Sequence, residues 1–219
     1  MKVILTGATG LVGEGVLLTI LNDSRVEAIL SVSRKPCGIT HPKLKELLVA
    51  DFLQIHEYKS ELTGYDALFY CAGITSLGMT EEAYTIVTYD TPMAVAKVLL
   101  DLNPNMVINH ISGGHTDSTE KGKVMWARVK GKIENALAAM PFKAVYNLRP
   151  GFMKPVEGQK NIRSYYKSIH FLYPILKFCF PSYGCELKEL GTAMLNITIH
   201  GFDKQVLEVK DIVRASNHA

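Results

Sequence analysis

Short β-rich apolar runs alternate along the chain with stretches whose apolar positions recur at helical spacing. Val3, Ile4 and Leu5 form a run too short for a helix, and Val12, Val16, Leu17, Ile20 and Leu21 follow at the period of an amphipathic helix. The same pattern predicts strands at Val26 to Ser33, Leu47 to Ala50, Ala67 to Cys71, Met106 to Ile111 and Ala144 to Leu148. Each ends in polar or glycine-rich residues: Arg34-Lys35-Pro36-Cys37-Gly38, Asp51, Ala72-Gly73, Ser112-Gly113-Gly114 and Arg149-Pro150-Gly151. Helical patterns fill the intervals at Thr80 to Thr88, Pro92 to Leu102 with Thr91 as N-cap, and Ser118 to Met140. Strand and helix in strict alternation predict an α/β fold with a doubly wound parallel sheet, in which ligands bind beyond the carboxyl ends of the strands.

From Gly151 the alternation stops. An aromatic stretch from Tyr165 to Tyr183 is followed by a helical pattern at Glu186 to Ile199 and a short strand pattern at Val206 to Val209. The expectation is one domain over 1–219, with 151–219 forming a small substrate-side lobe. Tyr165, Tyr166, Phe171 and Tyr173 suggest an apolar or aromatic wall, although such spacing also describes core. Lys167, His170, Pro174, Lys177 and Pro181 interrupt this stretch too often for a membrane span.

Composition narrows the function classes. The 219 residues are 47% hydrophobic and 21% charged, and 24 Lys and Arg against 21 Asp and Glu leave a net charge of only +3. With no long basic run, a nucleic-acid surface is not implied. Cys37, Cys71, Cys179 and Cys185 form no CxxC pair and no secretory apolar segment opens the chain, so the expectation is reduced thiols in a cytoplasm. No His, Cys and carboxylate cluster has metal-ligand spacing, and no metal is expected. The sequence is compatible with a homodimer or a regulatory protein partner, and with a small-molecule substrate it does not identify.

The candidate chemistry starts at the first loop, Thr6-Gly7-Ala8-Thr9-Gly10-Leu11-Val12-Gly13. One glycine turns the chain off the strand, another lets backbone N–H groups approach a pyrophosphate, and a third lets helix and strand pack closely. Thr9, Gly10, Leu11 and Val12 would then present the anion to the positive end of the helix. A protein that selects NAD usually carries a carboxylate about 20 residues further on, to bind the adenosine ribose. Here that place holds Arg34 and Lys35, a planar fork and a point charge suited to a 2′-phosphate. The cofactor expected is therefore NADP, as NADPH in its reduced form.

The glycine loop resembles the TGxxGxxG loop of the extended and atypical branches of the short-chain dehydrogenase/reductase superfamily, and the resemblance continues to about residue 155. It implies a Rossmann-like sheet and nicotinamide dinucleotide chemistry. By the same resemblance Asp51 would bond the adenine ring with Phe52 beside it. Cys71-Ala72-Gly73 stands where the family has an Asn-Ala-Gly type motif against the adenine ribose, and Pro150-Gly151-Phe152 resembles the turn that packs near the nicotinamide carboxamide. Further along, Pro181-Ser182-Tyr183 and the helix around Glu189 to Met194 resemble atypical members such as the Tat-interacting-protein-like oxidoreductases.

In that superfamily a serine after the fifth strand and a Tyr-x-x-x-Lys pair on the next helix carry the chemistry. The resemblance gives Ser112 the carbonyl-polarising role and Lys130 the nicotinamide ribose, but Trp126 occupies the tyrosine's place. An indole N–H does not titrate in the accessible pH range, so it cannot exchange the proton that accompanies hydride transfer. His115, in Ser112-Gly113-Gly114-His115-Thr116-Asp117, is a candidate replacement acid, with a solvent-exposed loop histidine as the plain alternative. His110, inside the fifth strand, reads as core. Tyr173-x-x-x-Lys177 matches the letters of the pair but follows the sixth strand and contains a proline.

Two readings stand. One is an NADP-dependent oxidoreductase on a small carbonyl or alcohol with a non-standard proton donor, which the retained Ser112 and Lys130 favour. The other is a non-catalytic NADP-binding redox sensor or regulatory module, which Trp126 favours. A nucleotide-sugar epimerase fits less well, because the chain is short for one and lacks the tyrosine.

Overall fold

The computed structural model describes residues 1–162 and 183–217. The residues Tyr165, Tyr166, Phe171 and Tyr173, and the Tyr173 to Lys177 spacing, lie outside them.

Seven parallel strands form the central sheet: β1 (Lys2–Thr6), β2 (Ala28–Ser33), β3 (Leu44–Leu48), β4 (Ala67–Tyr70), β5 (Val107–Ile111), β6 (Ala144–Arg149) and β9 (Val206–Glu208). Their spatial order is β3-β2-β1-β4-β5-β6-β9, so the direction of winding reverses between β1 and β4. Two shorter strands, β7 (Phe152–Lys154) and β8 (Gly184–Glu186), pair in parallel as a separate ladder.

The unbroken apolar run in β1 follows from burial on both faces. Val3 and Leu5 belong to a core shared with the helices α1 (Leu11–Leu21), α5 (Leu187–His200) and α6 (Val209–Ser216). Ile4 joins the opposite core, with α3 (Thr91–Leu102) and α4 (Met125–Ala138). Residues 187–217 build directly onto this framework: β9 is the strand next to β6, α5 packs on α1 and α6 packs on α5.

Two expected helices differ in form. The stretches around Thr80 to Thr88 and Pro92 to Leu102 fuse into one helical run, α2 (Glu81–Thr85), a π turn at Ile86–Asp90, and α3. Pro92 has no N–H, and the wider turn absorbs the ring and the missing bond. Thr91 is accordingly no cap, because its hydroxyl donates to the Ile86 carbonyl at 2.9 Å. The fourth helix starts at Met125 rather than Ser118, because the Asp117 carboxylate holds the preceding turn. It accepts from Thr119 N and Oγ1 at 3.0 and 2.6 Å and from Gly122 N at 2.6 Å.

Candidate functional site

With every strand of the main sheet parallel, the ends of β1, β2, β4, β5 and β6 share one edge. The glycine loop shapes its centre. Gly7 has φ +77°, and a Cβ there would stand 2.7 Å from the Ala72 nitrogen. A Cβ on Gly13 would stand 2.1 Å from the Gly7 carbonyl oxygen, so loop and helix touch backbone to backbone. Gly10 caps α1 without a side chain, and the first-turn amides have no acceptor within the helix. Thr6 joins β1 to β4, its hydroxyl accepting from Cys71 N at 3.1 Å and Ala72 N at 3.2 Å.

Beside this loop lies a cavity of about 540 Å³. Its lining brings together Gly7, Thr9, Gly10, Arg34, Asp51, Phe52, Cys71, Ala72 and Gly73 from the expected cofactor residues. Sequence reasoning missed Tyr70, Ile74, Ile86, Val87 and Thr91, which also line it. Tyr70 was detectable as the residue before Cys71 at the end of the fourth apolar run. Ile86, Val87 and Thr91 were placed in or beside helical patterns, but the π turn that brings them to the cavity leaves no signal in the alternation, and Ile74 lies on the loop after β4. Leu11, Val12 and Gly13 sit behind the lining, where the first two pack on the α1 core. Lys35 is exposed and its carbonyl accepts from Ser33 Oγ at 2.6 Å. Asp51 accepts from Leu53 N at 2.9 Å and so caps a short 3-10 turn at Phe52–Tyr58. Cys71 is held well above its ordinary pKa by burial, as is Tyr70, so both stay protonated.

The residues expected to do chemistry cluster at the end of β5. Ser112 is buried, its nitrogen extends the β5–β6 ladder to Leu148 O at 2.8 Å, and its hydroxyl lies 3.1 Å from Thr116 Oγ1. Lys130 reaches this point from α4: its Nζ is 3.7 Å from where a Cβ on Gly113 would stand. Burial lowers its pKa from the usual lysine range, against a smaller opposing pull from Glu134. Glu134 itself is engaged elsewhere, since Arg149 Nε donates to it at 2.9 Å and a second guanidinium nitrogen bonds its other oxygen. Trp126, half-buried one turn before Lys130, stands on the same side of α4.

His115 is exposed in a left-handed backbone conformation, φ 63°, unlike the buried Ser112. Pro150, Gly151 and Phe152 do not line the cavity. Instead Gly151 lies so close to the Tyr183 carbonyl that a Cβ would stand 2.1 Å from it, and Phe152 N donates to that carbonyl at 2.7 Å.

A buried polar row runs beneath Ser112. Tyr70, His110 and Asn147 are register partners on β4, β5 and β6. His110 Nδ1 lies 2.9 Å from Asn147 Oδ1, and Asn147 Nδ2 donates to the Glu134 carbonyl at 3.3 Å. Burial, with the nearby Lys130 charge, pushes the His110 pKa down to about 4, so the ring is neutral at ordinary pH.

The strand order and the glycine-lined switch point define the Rossmann-like fold of the short-chain dehydrogenases/reductases and related epimerases. No protein-family model matches the chain. An oxidoreductase of the short-chain dehydrogenase/reductase family from Burkholderia thailandensis superposes with a TM-score of 0.70 at 12% identity, covering 94% of this chain and 89% of that one. The Bordetella bronchiseptica enzyme WbmF, solved in complex with NAD+, gives 0.66 at 11% identity over 99% and 77%.

Among curated relatives, the protein fmp52 of Emericella nidulans is 27% identical over 166 residues, 73% of this chain and 68% of that protein. FMP52 of Meyerozyma guilliermondii is 23% identical over 199 residues, 89% and 84% respectively. Both are named as mitochondrial proteins, which overturns the expectation of a cytoplasm. Cysteine spacing bears on whether a chain meets an oxidising compartment; it does not separate one internal compartment from another.

Proposed function

We propose that the chain is an NADP(H)-binding oxidoreductase of the short-chain type, acting on a small carbonyl or alcohol in the mitochondrion. One observation carries the cofactor half: a single cavity joins the glycine loop, the Arg34 side of β2 and the 70–73 end of β4. A dinucleotide fits these residues. The glycines at 7 and 13 let loop and helix meet backbone to backbone beside the cavity, and Arg34 on its lining offers a two-pronged grip to a phosphate on the adenosine ribose. The NAD+ complex of WbmF supports dinucleotide binding at this fold, and the relatives' names support the compartment.

A bound nicotinamide dinucleotide would supply or accept the hydride. Ser112 would polarise the substrate oxygen from the end of β5, and Lys130 would hold the ribose from α4. The test of the cofactor is titration with NADPH and NADH, read by fluorescence. NADPH is expected to bind more tightly, and Arg34→Ala should erase about tenfold or more of that preference. Equal NADH binding in the unaltered chain would refute the assignment to NADP.

Trp126 supports a second reading, an NADP-binding module without turnover. A screen of NADPH oxidation over aldehydes, ketones and quinones separates the two. The enzyme reading expects turnover that Ser112→Ala depresses; the module expects binding and no turnover.

A further inference from the structure

We propose that Lys130 is itself the acid and base of the reaction, giving the proton to the substrate oxygen in reduction and taking it in oxidation. This rests on the oxidoreductase reading above.

Carbonyl reduction needs a proton donor near Ser112, and most of the described residues there are unsuited to the task. The Ser112 hydroxyl is shared with Thr116 and does not titrate in the useful range. The Trp126 indole N–H does not ionise at working pH. Buried Tyr70 and half-buried Cys71 are both held protonated, so neither can take the alcohol's proton in the oxidation direction. His110 is neutral and its Nδ1 proton is committed to Asn147. The Asn147 amide is oriented by its own bond to Glu134, so it presents oxygen to the ring. Glu134 and Arg149 neutralise each other. His115 is exposed on the outer turn.

Lys130 differs from all of these. Its side chain passes Gly113, directly after Ser112, and among the described residues no carboxylate pairs with it. Lys130 is half-buried and Glu134 is engaged by Arg149, so its partly desolvated ammonium is a stronger acid than that of a surface lysine. The ionisable groups about α4 at this level are His110 on β5 with Tyr70 of β4 beside it, Arg149 on β6, Asp117 in the preceding loop and Glu134 on α4. Glu81 and Tyr89 on the neighbouring helical run are taken up by Arg128 and Lys132. Because His110 is neutral, the site carries one positive charge at Lys130 and not two.

The step balances with a reduced nicotinamide dinucleotide as reductant. The carbonyl carbon receives a hydride with its electron pair, the C=O π pair moves to oxygen, and an Nζ–H bond of Lys130 breaks as the O–H bond forms. The products are the alcohol, the oxidised dinucleotide and a neutral Lys130, which regains its proton from water.

The first readout needs no turnover. In the full chain labelled with 13C at lysine Cε, NMR titration should show one lysine losing its proton at lower pH than the rest, and that signal should vanish in Lys130→Arg and Lys130→Met. Lys130→Arg keeps the charge, and at saturating NADPH carbonyl turnover should fall about 100-fold or more while the pH profile loses the limb set by Lys130. A Lys130 signal titrating with the exposed lysines overturns the proposal, and so does unchanged turnover in Lys130→Arg. A low-titrating Lys130 in a chain that reduces no carbonyl refutes the oxidoreductase reading, and this role falls with it. Turnover with an ordinary Lys130 refutes this role alone.

Discussion

The charge state of His110 is decided by its surroundings, and stability must follow it with pH. The unfolded chain binds a proton at this ring near 6.5, whereas the native ring resists it down to about 4. Between those values the unfolded state holds more protons, so stability present above about 6.5 is lost as pH falls toward 4. The loss is on the order of 3 kcal/mol, because a tenfold change in proton affinity is worth about 1.4 kcal/mol. Urea denaturation at pH 7, 5.5 and 4.5 should show this slope, and His110→Gln should flatten it. The sequence showed His110 only as a polar residue in an apolar strand. Its partners Tyr70 and Asn147 are 40 and 37 positions away, and only the register of three strands brings them together. Ser112 and Lys130 were legible because resemblance to a family names such positions. What surrounds Lys130 was not, because the engagement of Glu134 by Arg149 is a fact of packing between α4 and β6.

At the scale of elements, the apolar runs located the first six strands of the sheet to within a few residues, most closely the inner strands, whose burial on both faces leaves an unbroken hydrophobic signature, and least closely the exposed edge strand β3. The π turn, the late start of α4 and the β7–β8 ladder were not legible. They depend on a proline within a helix, on one aspartate collecting three donors, and on pairing across a long separation in sequence. The β1–α1 turn was read correctly as a close contact, and its two helix-side glycines should respond differently to a methyl group. Gly13→Ala drives a Cβ into the Gly7 carbonyl, where backbone cannot yield, and is expected to cost roughly 3 kcal/mol with loss of NADPH binding. Gly10→Ala meets that same carbonyl at 3.5 Å, an ordinary contact, and should leave the melting temperature nearly unchanged. Thermal melts paired with NADPH titration check both.

At the scale of the molecule, the cofactor helix and the chain beyond β7 are tied by a buried carboxylate. Glu14, 2% exposed in the first turn of α1, accepts from Lys160 N at 2.8 Å and Asn161 N at 2.7 Å. Gln159 adds a bond from its amide to the Leu11 carbonyl at 2.5 Å. Glu14→Ala strands two amides and should cost roughly 2–4 kcal/mol, with faster proteolysis near residues 155–162; Glu14→Gln, which keeps one acceptor, should lose less. Denaturation and limited proteolysis with mass mapping measure the two effects. The β7–β8 ladder acts at the same scale. Residues 152–154 and 184–186 lie side by side, so the chain departs from and returns to one place on the scaffold. Closing a connection twice as long between these paired strands would cost only about 0.6 kcal/mol more. Lengthening the connection outside residues 155–162, which are tied to α1, should therefore leave the melting temperature of the scaffold nearly unchanged, as thermal melts would show.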